Sequence, residues 1–374
     1  MKIVYILKKG IQCYPPCLAQ ILYLNDLKAD LIVYHGNNSA YVNEILDERG
    51  IEHYAFRCDR DSKNRLESAY NFYRYTKEVN KLVRSLPKDA FLWFGNCESA
   101  IAMDKKNLKN RKYLLSILEL YETNSFNGKR LKKIIGDASE IIVCEKHRAA
   151  VMRVYYPSIS APIYVIPNKP YEGDSALSNA SGSPDENLLK LVEKIKNKTV
   201  VLYQGMISSD RPLDKIAEAL REIGDDSILF LIMGKADEKI RRELQGIYRN
   251  TVFTGYVPSP QHLFFTQYAT VGIANYDFSC LNNLFCAPNK IYEYTKFGIP
   301  VLASKNLGLT ETVGAYGCAE CVDFLSVEEI KSGLNSILRN ISEYSRKAKE
   351  FYSATDNESV FVEIMRRLEA KREN

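Results

Sequence analysis

The sequence lacks the features that mark membrane-spanning and secreted proteins. No stretch approaches the roughly 18 consecutive apolar residues of a spanning helix, and the most apolar segments, such as 227–233, have the length of a strand. The first ten residues end in Lys8-Lys9-Gly10 and have neither a long apolar region nor a small-residue cleavage site. We therefore expect a cytosolic chain that does not cross a membrane.

The cysteines form no pattern that indicates disulfides or a metal centre. Nine cysteines are scattered along the chain, an odd number without a secretion signal. Cys318 and Cys321 have the spacing of half a zinc or redox site, but no second Cys or His pair lies nearby in the sequence. We predict ordinary strand cysteines in a reducing compartment, and no bound metal.

Charge is distributed unequally between the two halves of the chain. The formal net charge is +5, whereas residues 1–165 contain 26 Lys and Arg against 18 Asp and Glu, a net charge of +8. Much of the excess lies between Met103 and Lys133, and residues 127–135 are typical of the start of a basic amphipathic helix. Such a helix can lie on anionic lipid or be a solvated face. Interleaved aromatics and recognition motifs are lacking, so we predict no nucleic-acid partner.

Strand-like and helical patterns alternate throughout, which predicts βα units on parallel sheets. The length of 374 residues favours two domains. A stretch rich in Pro, Gly, Ser and Asn indicates a linker at 167–185, between domains at 1–166 and 186–349. Residues 343–374 predict helix with a break near Thr355. The predicted strands are 2–7, 30–34, 90–94, 112–117, 140–144, 163–166, 199–203, 227–233, 251–254, 270–274, 300–303 and 319–322.

Two doubly wound sheets place the carboxyl ends of their strands around a crevice, where α/β folds bind ligands. Sugar-nucleotide transferases, periplasmic binding proteins and two-domain dehydrogenases share that description. The missing secretion signal argues against the second class. The first strand is followed by Lys8-Lys9-Gly10-Ile11-Gln12 and not by G-x-G-x-x-G, which argues against the third.

The most informative segment is 287–303, with the sequence APNKIYEYTKFGIPVLA. Pro288 suits the first position of a helix and Gly298 the C′ position, so a helix of about ten residues is predicted before a strand. Lys290 and Glu293 share one face of it. A helix N-terminus and an ammonium could bind phosphate while the carboxylate accepts hydrogen bonds from a ribose diol. An i,i+3 surface ion pair explains the spacing equally well.

This segment resembles the donor-site signature of family 4 (group 1) retaining glycosyltransferases, which have the GT-B fold. The segments YQGMISSDRPLD at 203–214, FLIMG at 230–234 and FTGYV at 253–257 are similar to family segments in the same order. The resemblance covers about residues 199–340, and the first half matches only in layout. It implies two Rossmann-like doubly wound α/β domains facing a central cleft, with a C-terminal helix at about 350–374 packing back on the first domain.

The resemblance also implies roles for particular residues in donor binding. Gly205 and Met206 approach a diphosphate through their backbone, Arg211 and Lys290 neutralise it, and Glu293 holds the ribose. The remaining donor-site positions are Gly234, Tyr256, Val257 and Asn289, with Gly255 beside the base. The family's first paired glutamate is absent, because Phe285 stands eight positions before Glu293, and Asn282 or Asn283 could substitute.

Catalysis in such a site needs charge stabilisation and a means of handling the acceptor hydroxyl. Arg211 and Lys290 would stabilise the leaving diphosphate without a metal or other cofactor. Glu119, after the predicted strand 112–117, could orient or deprotonate an acceptor, or could simply cap a helix. The D-x-D at Asp59-Arg60-Asp61 matches the metal motif of another glycosyltransferase fold but is predicted to be a surface turn.

The sequence therefore predicts a cytosolic, bacterial-type glycosyltransferase that extends a surface-polysaccharide or lipid-linked precursor from a UDP- or GDP-linked sugar. Lys129, Arg130, Lys132 and Lys133 would face an anionic membrane at its inner surface. Two alternatives stay open, which are a sugar-nucleotide epimerase or hydrolase of the same fold and a non-catalytic sugar- or nucleotide-binding protein.

Overall fold

The structure, a computed structural model, describes residues 1–57, 64–172, 186–207 and 211–373. They form two compact units, one of Met1–Tyr171 with Asp356–Asn374 and one of Glu172–Thr355. Within the described residues, every strand pairing in either sheet is parallel. Helices connect the strands, so the predicted α/β class is confirmed.

The first unit contains a seven-stranded sheet. Its strands are β1 (Lys2–Ile6), β2 (Asp30–His35), β3 (Glu52–Ala55), β4 (Phe91–Phe94), β5 (Tyr113–Ile117), β6 (Glu140–Val143) and β7 (Ile163–Val165), in the order β3-β2-β1-β4-β5-β6-β7. The helices are α1 (Pro15–Asp26), α2 (Ala40–Glu48), α3 (Arg65–Ser85), α4 (Cys97–Ala100), α5 (Lys105–Leu108), α6 (Phe126–Leu131) and α7 (Lys146–Tyr155). Strand order reverses beside β1, where such sheets bind ligands.

The sequence missed one strand of this unit and overestimated the length of one helix. Strand β3 was not predicted, because it lies at the sheet edge with mostly exposed side chains and lacks the apolar run of a central strand. The basic helix predicted over 127–135 is shorter. Ser125 caps α6, whose last residue is Leu131, so Lys132 and Lys133 lie in the turn that follows.

The second unit contains a six-stranded sheet with the order β10-β9-β8-β11-β12-β13. Its strands are β8 (Thr199–Gln204), β9 (Ile228–Met233), β10 (Thr251–Phe253), β11 (Val271–Ala274), β12 (Val301–Ser304) and β13 (Ala319–Val322). The helices are α8 (Glu186–Ile195), α9 (Asp214–Ile223), α10 (Glu238–Ile247), α11 (His262–Thr266), α12 (Leu281–Leu284), α13 (Asn289–Lys296), α14 (Leu307–Leu309), α15 (Val327–Arg339) and α16 (Ile341–Ala354). All twelve predicted strands are present, with ends shifted by at most one residue.

The chain ends in helix α17 (Glu358–Glu373), which belongs to the first unit. Phe361 is fully buried and stacks against Tyr23 and Trp93, and Asn357 donates a hydrogen bond to the carbonyl of Pro167 at 2.9 Å. The break between α16 and α17 lies at 355–357, as predicted. The first unit extends to Tyr171, whose buried ring packs on Tyr23.

Helix α13 is held against the second sheet through one close approach. A Cβ on Gly272 of β11 would lie 2.3 Å from the ring of Tyr294. The Tyr294 hydroxyl lies 3.3 Å from the carbonyl oxygens of both Leu202 and Ile273, so it donates across the two adjacent strands β8 and β11. The buried ring fills the space that a side chain at 272 would need, and this contact fixes the height of α13 above the sheet.

Replacing Gly272 with Ala is therefore expected to destabilise the second unit by about 1 to 3 kcal/mol, because overpacking a dense core forces neighbours out of place. Gly246→Ala in α10 is the matched control, since nothing lies within 4 Å of a Cβ there. In a helix this control should stabilise by about 0.5 to 1 kcal/mol. Urea unfolding of both variants measures the difference. Equal stability of the two variants would contradict the close packing at Gly272.

Candidate functional site

The second unit contains a cavity of about 740 Å³ at the carboxyl ends of its central strands. Adjacent strands β8 and β9 end at Gln204 and Met233, and the glycine after each strand also lines the cavity. Eight predicted donor-site residues line it, namely Gly205, Met206, Gly234, Tyr256, Val257, Asn289, Lys290 and Glu293. The remaining lining residues, which were not predicted, are Gln204, Met233, Lys235, Ser259, His262, Tyr276 and Pro288.

Two glycines let the backbone come close to the cavity wall. Gly205 has a φ of +132°, which side chains rarely adopt, and a Cβ on it would lie 3.4 Å from the Lys290 ammonium. A Cβ on Gly234 would lie 2.2 Å from the Gly205 carbonyl oxygen. A ligand in the cavity can therefore approach the peptide groups at the end of β8.

Helix α13 enters the cavity with its N-terminal turn. Pro288 is the N-cap in an extended conformation and not the first helical residue as predicted, while Gly298 lies past the C-terminus with a φ of +70°. The N-cap residue Pro288 makes no capping hydrogen bond through its side chain. The first amide groups and the dipole of α13 therefore present partial positive charge where Asn289 and Lys290 line the cavity.

Two cations converge on one aromatic ring beside this turn. The Lys290 ammonium lies 4.5 Å from the centre of the Tyr203 ring and 5.4 Å from that of Tyr276. The Arg211 guanidinium lies 4.7 Å from the same Tyr276 ring. Arg211 does not line the cavity itself, but it stacks on a residue that does. The rings hold both charges in place by cation–π attraction, and sequence reasoning missed Tyr276.

Glu293 and Lys290 are both buried, at 8% and 7% exposure. The interpretation of the pair as a solvated surface ion pair is therefore wrong. The Glu293 carboxylate accepts a hydrogen bond from the Gln204 amide, and its other oxygen lies 3.2 Å from Nε2 of His262. Burial would raise the pKa of Glu293, but His262, Lys290 and Gln204 outweigh it and hold the pKa below its ordinary value. The carboxylate is thus ionised and preorganised at the cavity wall.

Gln204 and His262 are the residues that sequence reasoning missed around Glu293. Gln204 is buried at the end of β8 and also accepts a hydrogen bond from Thr266 at 2.8 Å. His262 begins α11, a helix of five residues. Burial would lower the pKa of His262, but the facing carboxylate of Glu293 outweighs this and raises it. Gln204 lies in the segment 203–214, but no role was predicted for it, and His262 belongs to none of the segments that carry the resemblance; only the fold brings the two side chains to α13.

This pair should make the stability of the second unit depend on pH. A histidine whose pKa is higher in the folded state stabilises fully below its unfolded value of 6.5, and its contribution is lost as pH rises through the folded value. A carboxyl with a lowered pKa stabilises above its unfolded value of 4.5 and loses that contribution as pH falls. The free energy of unfolding of wild type should therefore exceed that of His262→Gln by the largest amount between about pH 4.5 and pH 6.5.

A hydrogen bond to a charged group contributes about 1.5 to 3 kcal/mol, which sets the scale of that difference. Thermal melts of both proteins from pH 4 to pH 9 measure it. The melting temperatures should converge as the pH rises above neutrality. A difference that is constant over the whole range would show that His262 contributes packing alone.

The asparagines proposed to replace the absent glutamate do not line the cavity. Asn283 is buried in α12 and donates a hydrogen bond of 2.6 Å to Asp277. Phe285 caps the C-terminus of α12. The structure thus places Asn283 in support of Asp277, whose pKa is lowered although burial opposes this, because Ser279, Asn283 and Arg211 favour its charged form.

The first unit gathers polar side chains where β1, β4 and β5 end. Glu119 is exposed two residues after β5, as the sequence indicates. Glu98, which was not predicted, follows β4 and pairs with Lys8, which follows β1. Tyr14 donates a hydrogen bond to Glu98 at 3.3 Å. Burial, followed by the nearby Glu98 and Glu119 carboxylates, raises the pKa of Tyr14. These groups can hold or deprotonate a hydroxyl.

The four predicted membrane-facing residues lie in the first unit and differ in their surroundings. Lys129, Lys132 and Lys133 are exposed. The Arg130 guanidinium instead lies 5.5 and 5.7 Å from the centres of the Phe72 and Phe126 rings, and its Nε donates to the Ile101 carbonyl at 2.5 Å.

The described ranges contain no candidate for a membrane span or a metal centre. None of their helices is both long and apolar enough to span a bilayer. No group of three or more His, Cys, Asp or Glu side chains in the same ranges is arranged to hold a metal ion. Asp59-Arg60-Asp61 lies outside the residues that the structure describes, as does most of the predicted linker.

Two doubly wound, parallel-sheet units define a class of two-domain α/β proteins, the GT-B architecture. Residues 185–353 match the family model of the glycosyl transferases group 1. Membership of family 4 stays a prediction. No curated protein matches the chain significantly in sequence.

Solved GT-B structures match almost the whole chain. Anabaena Alr3699/HepE, solved with UDP and glucose, is 14% identical with a TM-score of 0.68, covering 99% of this chain and 100% of its own. Sucrose-phosphate synthase from Thermosynechococcus elongatus is 14% identical with a TM-score of 0.69 and the same coverage. UDP-GlcNAc 2-epimerase from Neisseria meningitidis, bound to UDP-GlcNAc, is 12% identical with a TM-score of 0.65, covering 98% and 100%. At such identities the likeness shows the fold.

Proposed function

We propose that the protein is a retaining, metal-independent glycosyltransferase that takes a sugar from a UDP- or GDP-linked donor. The observation that carries the proposal is the buried, ionised Glu293 on the cavity wall, one turn from the N-terminus of α13, where Pro288 is the N-cap. A ribose diol donates to a carboxylate, whereas a diphosphate accepts from amide groups and cations. The carboxylate for the diol and the cation and amide groups for the diphosphate line the same cavity, whose volume is in the range of ligand sites.

The same residues can lower the barrier to sugar transfer. Negative charge develops on the diphosphate as its bond to the sugar breaks. Lys290, Arg211 and the amide groups of α13 stabilise that charge without a metal. The acceptor hydroxyl loses its proton as the new bond forms, and Glu119 in the first unit is our candidate to orient or accept it.

The experiment measures release of nucleoside diphosphate from UDP- and GDP-sugars with and without candidate acceptors. Release that depends strictly on an acceptor supports a transferase. Release without an acceptor, giving a free or epimerised sugar, supports the second candidate, which the likeness to an epimerase favours. A thermal shift without turnover supports a binding protein. A ligand at 100 times its dissociation constant stabilises by about 2.7 kcal/mol, so the donor can be identified by thermal shift first.

We further propose that the acceptor is a lipid-linked or surface-polysaccharide precursor, met at the cytoplasmic face of an anionic membrane. Helix α3 supports this, because Leu66, Tyr70 and Tyr73 lie at i, i+4 and i+7 and are 83%, 61% and 53% exposed. Arg74 and Lys77 lie over the Tyr70 and Tyr73 rings at 6.0 and 4.5 Å. Exposed aromatics beside cations suit the headgroup region of a bilayer.

Binding to phosphatidylglycerol vesicles should therefore exceed binding to phosphatidylcholine vesicles and weaken as salt rises. Changing Leu66, Tyr70 and Tyr73 to Ser should reduce it at least tenfold, because the buried apolar area is lost. The control changes Glu238, Lys239 and Arg242, exposed positions of α10 in the second unit, to Ser. Co-sedimentation measures both. Equal binding to the two lipids, or equal loss in both variants, would reject membrane docking through α3.

A further inference from the structure

The first unit contains a second cavity of about 370 Å³, built from three segments. Ile101 and Met103 come from the turn after α4, Asp104, Lys105 and Lys106 from the start of α5, and Arg130 and Lys133 from α6 and the turn that follows it. We call it the basic cavity. It shares no residue with the cavity of the second unit and plays no part in the function proposed above.

Four cations and one carboxylate line the basic cavity. Lys105 is paired with Asp137 outside the lining, at 2.8 Å. Among the described residues, neither Lys106 nor Lys133 forms an ion pair or a side-chain hydrogen bond. Like charges around one hollow repel each other, and an anion bound between them would remove that repulsion.

Arg130 is oriented for a specific contact. Its Nε is engaged by the Ile101 carbonyl, and the rings of Phe72 and Phe126 hold its plane. Within the described part of the chain, its two terminal nitrogens have no hydrogen-bond acceptor. A guanidinium fixed in this way matches two oxygens of a phosphate group, and little conformational freedom remains to be lost on binding.

We propose that the basic cavity binds a phosphate group, as a free phosphate or diphosphate or as the headgroup of a phosphate-bearing lipid. The apolar side chains of Ile101 and Met103 form the wall beside the cations. A cavity of this volume is at the small end of ligand sites. The exposed Lys129 and Lys132 belong to the same segment but do not line it, so they provide a matched control.

The test titrates inorganic phosphate and pyrophosphate into the full-length protein by calorimetry. Lys106→Gln with Lys133→Gln should weaken binding at least tenfold, whereas Lys129→Gln with Lys132→Gln, which removes the same charge, should weaken it less than threefold. Arg130→Lys keeps the charge but loses the planar fork, and it should also weaken binding. Lys290→Met should leave the dependence on Lys106 and Lys133 unchanged, because Lys290 is the cation placed at the diphosphate in the nucleotide cavity, and this separates the two sites.

Vesicles containing phosphatidic acid distinguish the two sources of phosphate. If the free anions do not bind but vesicle binding depends on the Lys106 and Lys133 pair, the ligand is a lipid headgroup. If the free anions bind with that dependence, the ligand is soluble. Equal effects of the two lysine pairs on every probe, or no binding of any probe, would overturn the proposal.

Discussion

Replacing Glu293 with Gln is expected to weaken nucleoside diphosphate binding at least tenfold while leaving the second unit folded. The substitution keeps the shape of the side chain and removes its charge. A hydrogen bond to a charged group contributes about 1.5 to 3 kcal/mol, and a ribose diol can make two to a carboxylate. Each 1.4 kcal/mol is a factor of ten in affinity. Calorimetry with UDP and GDP measures the change.

The contacts of Glu293 make a second effect necessary. Both carboxylate oxygens are in use, because one accepts a hydrogen bond from Gln204 and the other faces His262. The amide of Gln has only one acceptor oxygen, so it cannot accept from Gln204 and His262 through two oxygens. The variant should therefore also melt at a lower temperature. Its folding is checked by thermal unfolding, and affinities are compared at a temperature well below both transitions.

Glu218→Gln is the matched control for charge. Glu218 pairs with Lys215 at 2.9 Å in an i,i+3 arrangement on α9. Lys290 and Glu293 have the same spacing in the sequence, which is why a surface ion pair was an alternative for them. Removing such a pair costs about 0.5 kcal/mol or less and should not change nucleotide affinity. If Glu293→Gln loses thermal stability but binds both nucleotides as wild type does, Glu293 holds Gln204 and His262 in place and does not bind the donor.

The sequence predicted the segment that forms the wall of the cavity because its signals are local. Gly298 marks the end of α13 through its positive φ, and the apolar strand β12 follows at once. The strands of both sheets could be predicted for the same reason, since buried parallel strands are near-continuous apolar runs. Strand β3 could not, because an edge strand with exposed side chains carries no such signal.

The partners of Glu293 could not be predicted because their roles depend on tertiary packing. His262 comes 31 residues before Glu293 and Gln204 comes 89 before it, and neither spacing has meaning until the strands are paired. A lone histidine near two prolines carries little information in the sequence. In the structure, the short helix α11 brings it to within 3.2 Å of the carboxylate. The same limit applies to Glu98, which meets Lys8 only because β1 and β4 are neighbours.

Replacing Lys290 with Met is expected to lower turnover by about 10² to 10³ and to change the KM for the donor much less. The ammonium stands beside Gly205 and between the rings of Tyr203 and Tyr276, so its position is set before the donor arrives. Groups that stabilise charge developing in the transition state affect kcat more than binding. Met preserves most of the side-chain volume, so the packing of the rings is disturbed as little as possible.

Arg211→Gln should also lower kcat, but by a smaller factor, because Arg211 does not line the cavity itself and contacts the ring of Tyr276, which does. Since both cations contact the Tyr276 ring, their effects are coupled. The factor by which the double variant lowers kcat should be smaller than the product of the two single factors. Lys215→Met, which removes a half-buried cation of α9 that does not line the cavity, is the control and should leave kcat within a factor of two.

Steady-state release of nucleoside diphosphate over a range of donor concentrations separates kcat from KM. A raised KM with unchanged kcat in Lys290→Met would mean that the ammonium binds the diphosphate equally in the ground and transition states. The cation would then contribute to affinity and not to the chemical step. The amide groups at the N-terminus of α13 would remain to stabilise the leaving group, because no side-chain substitution removes them.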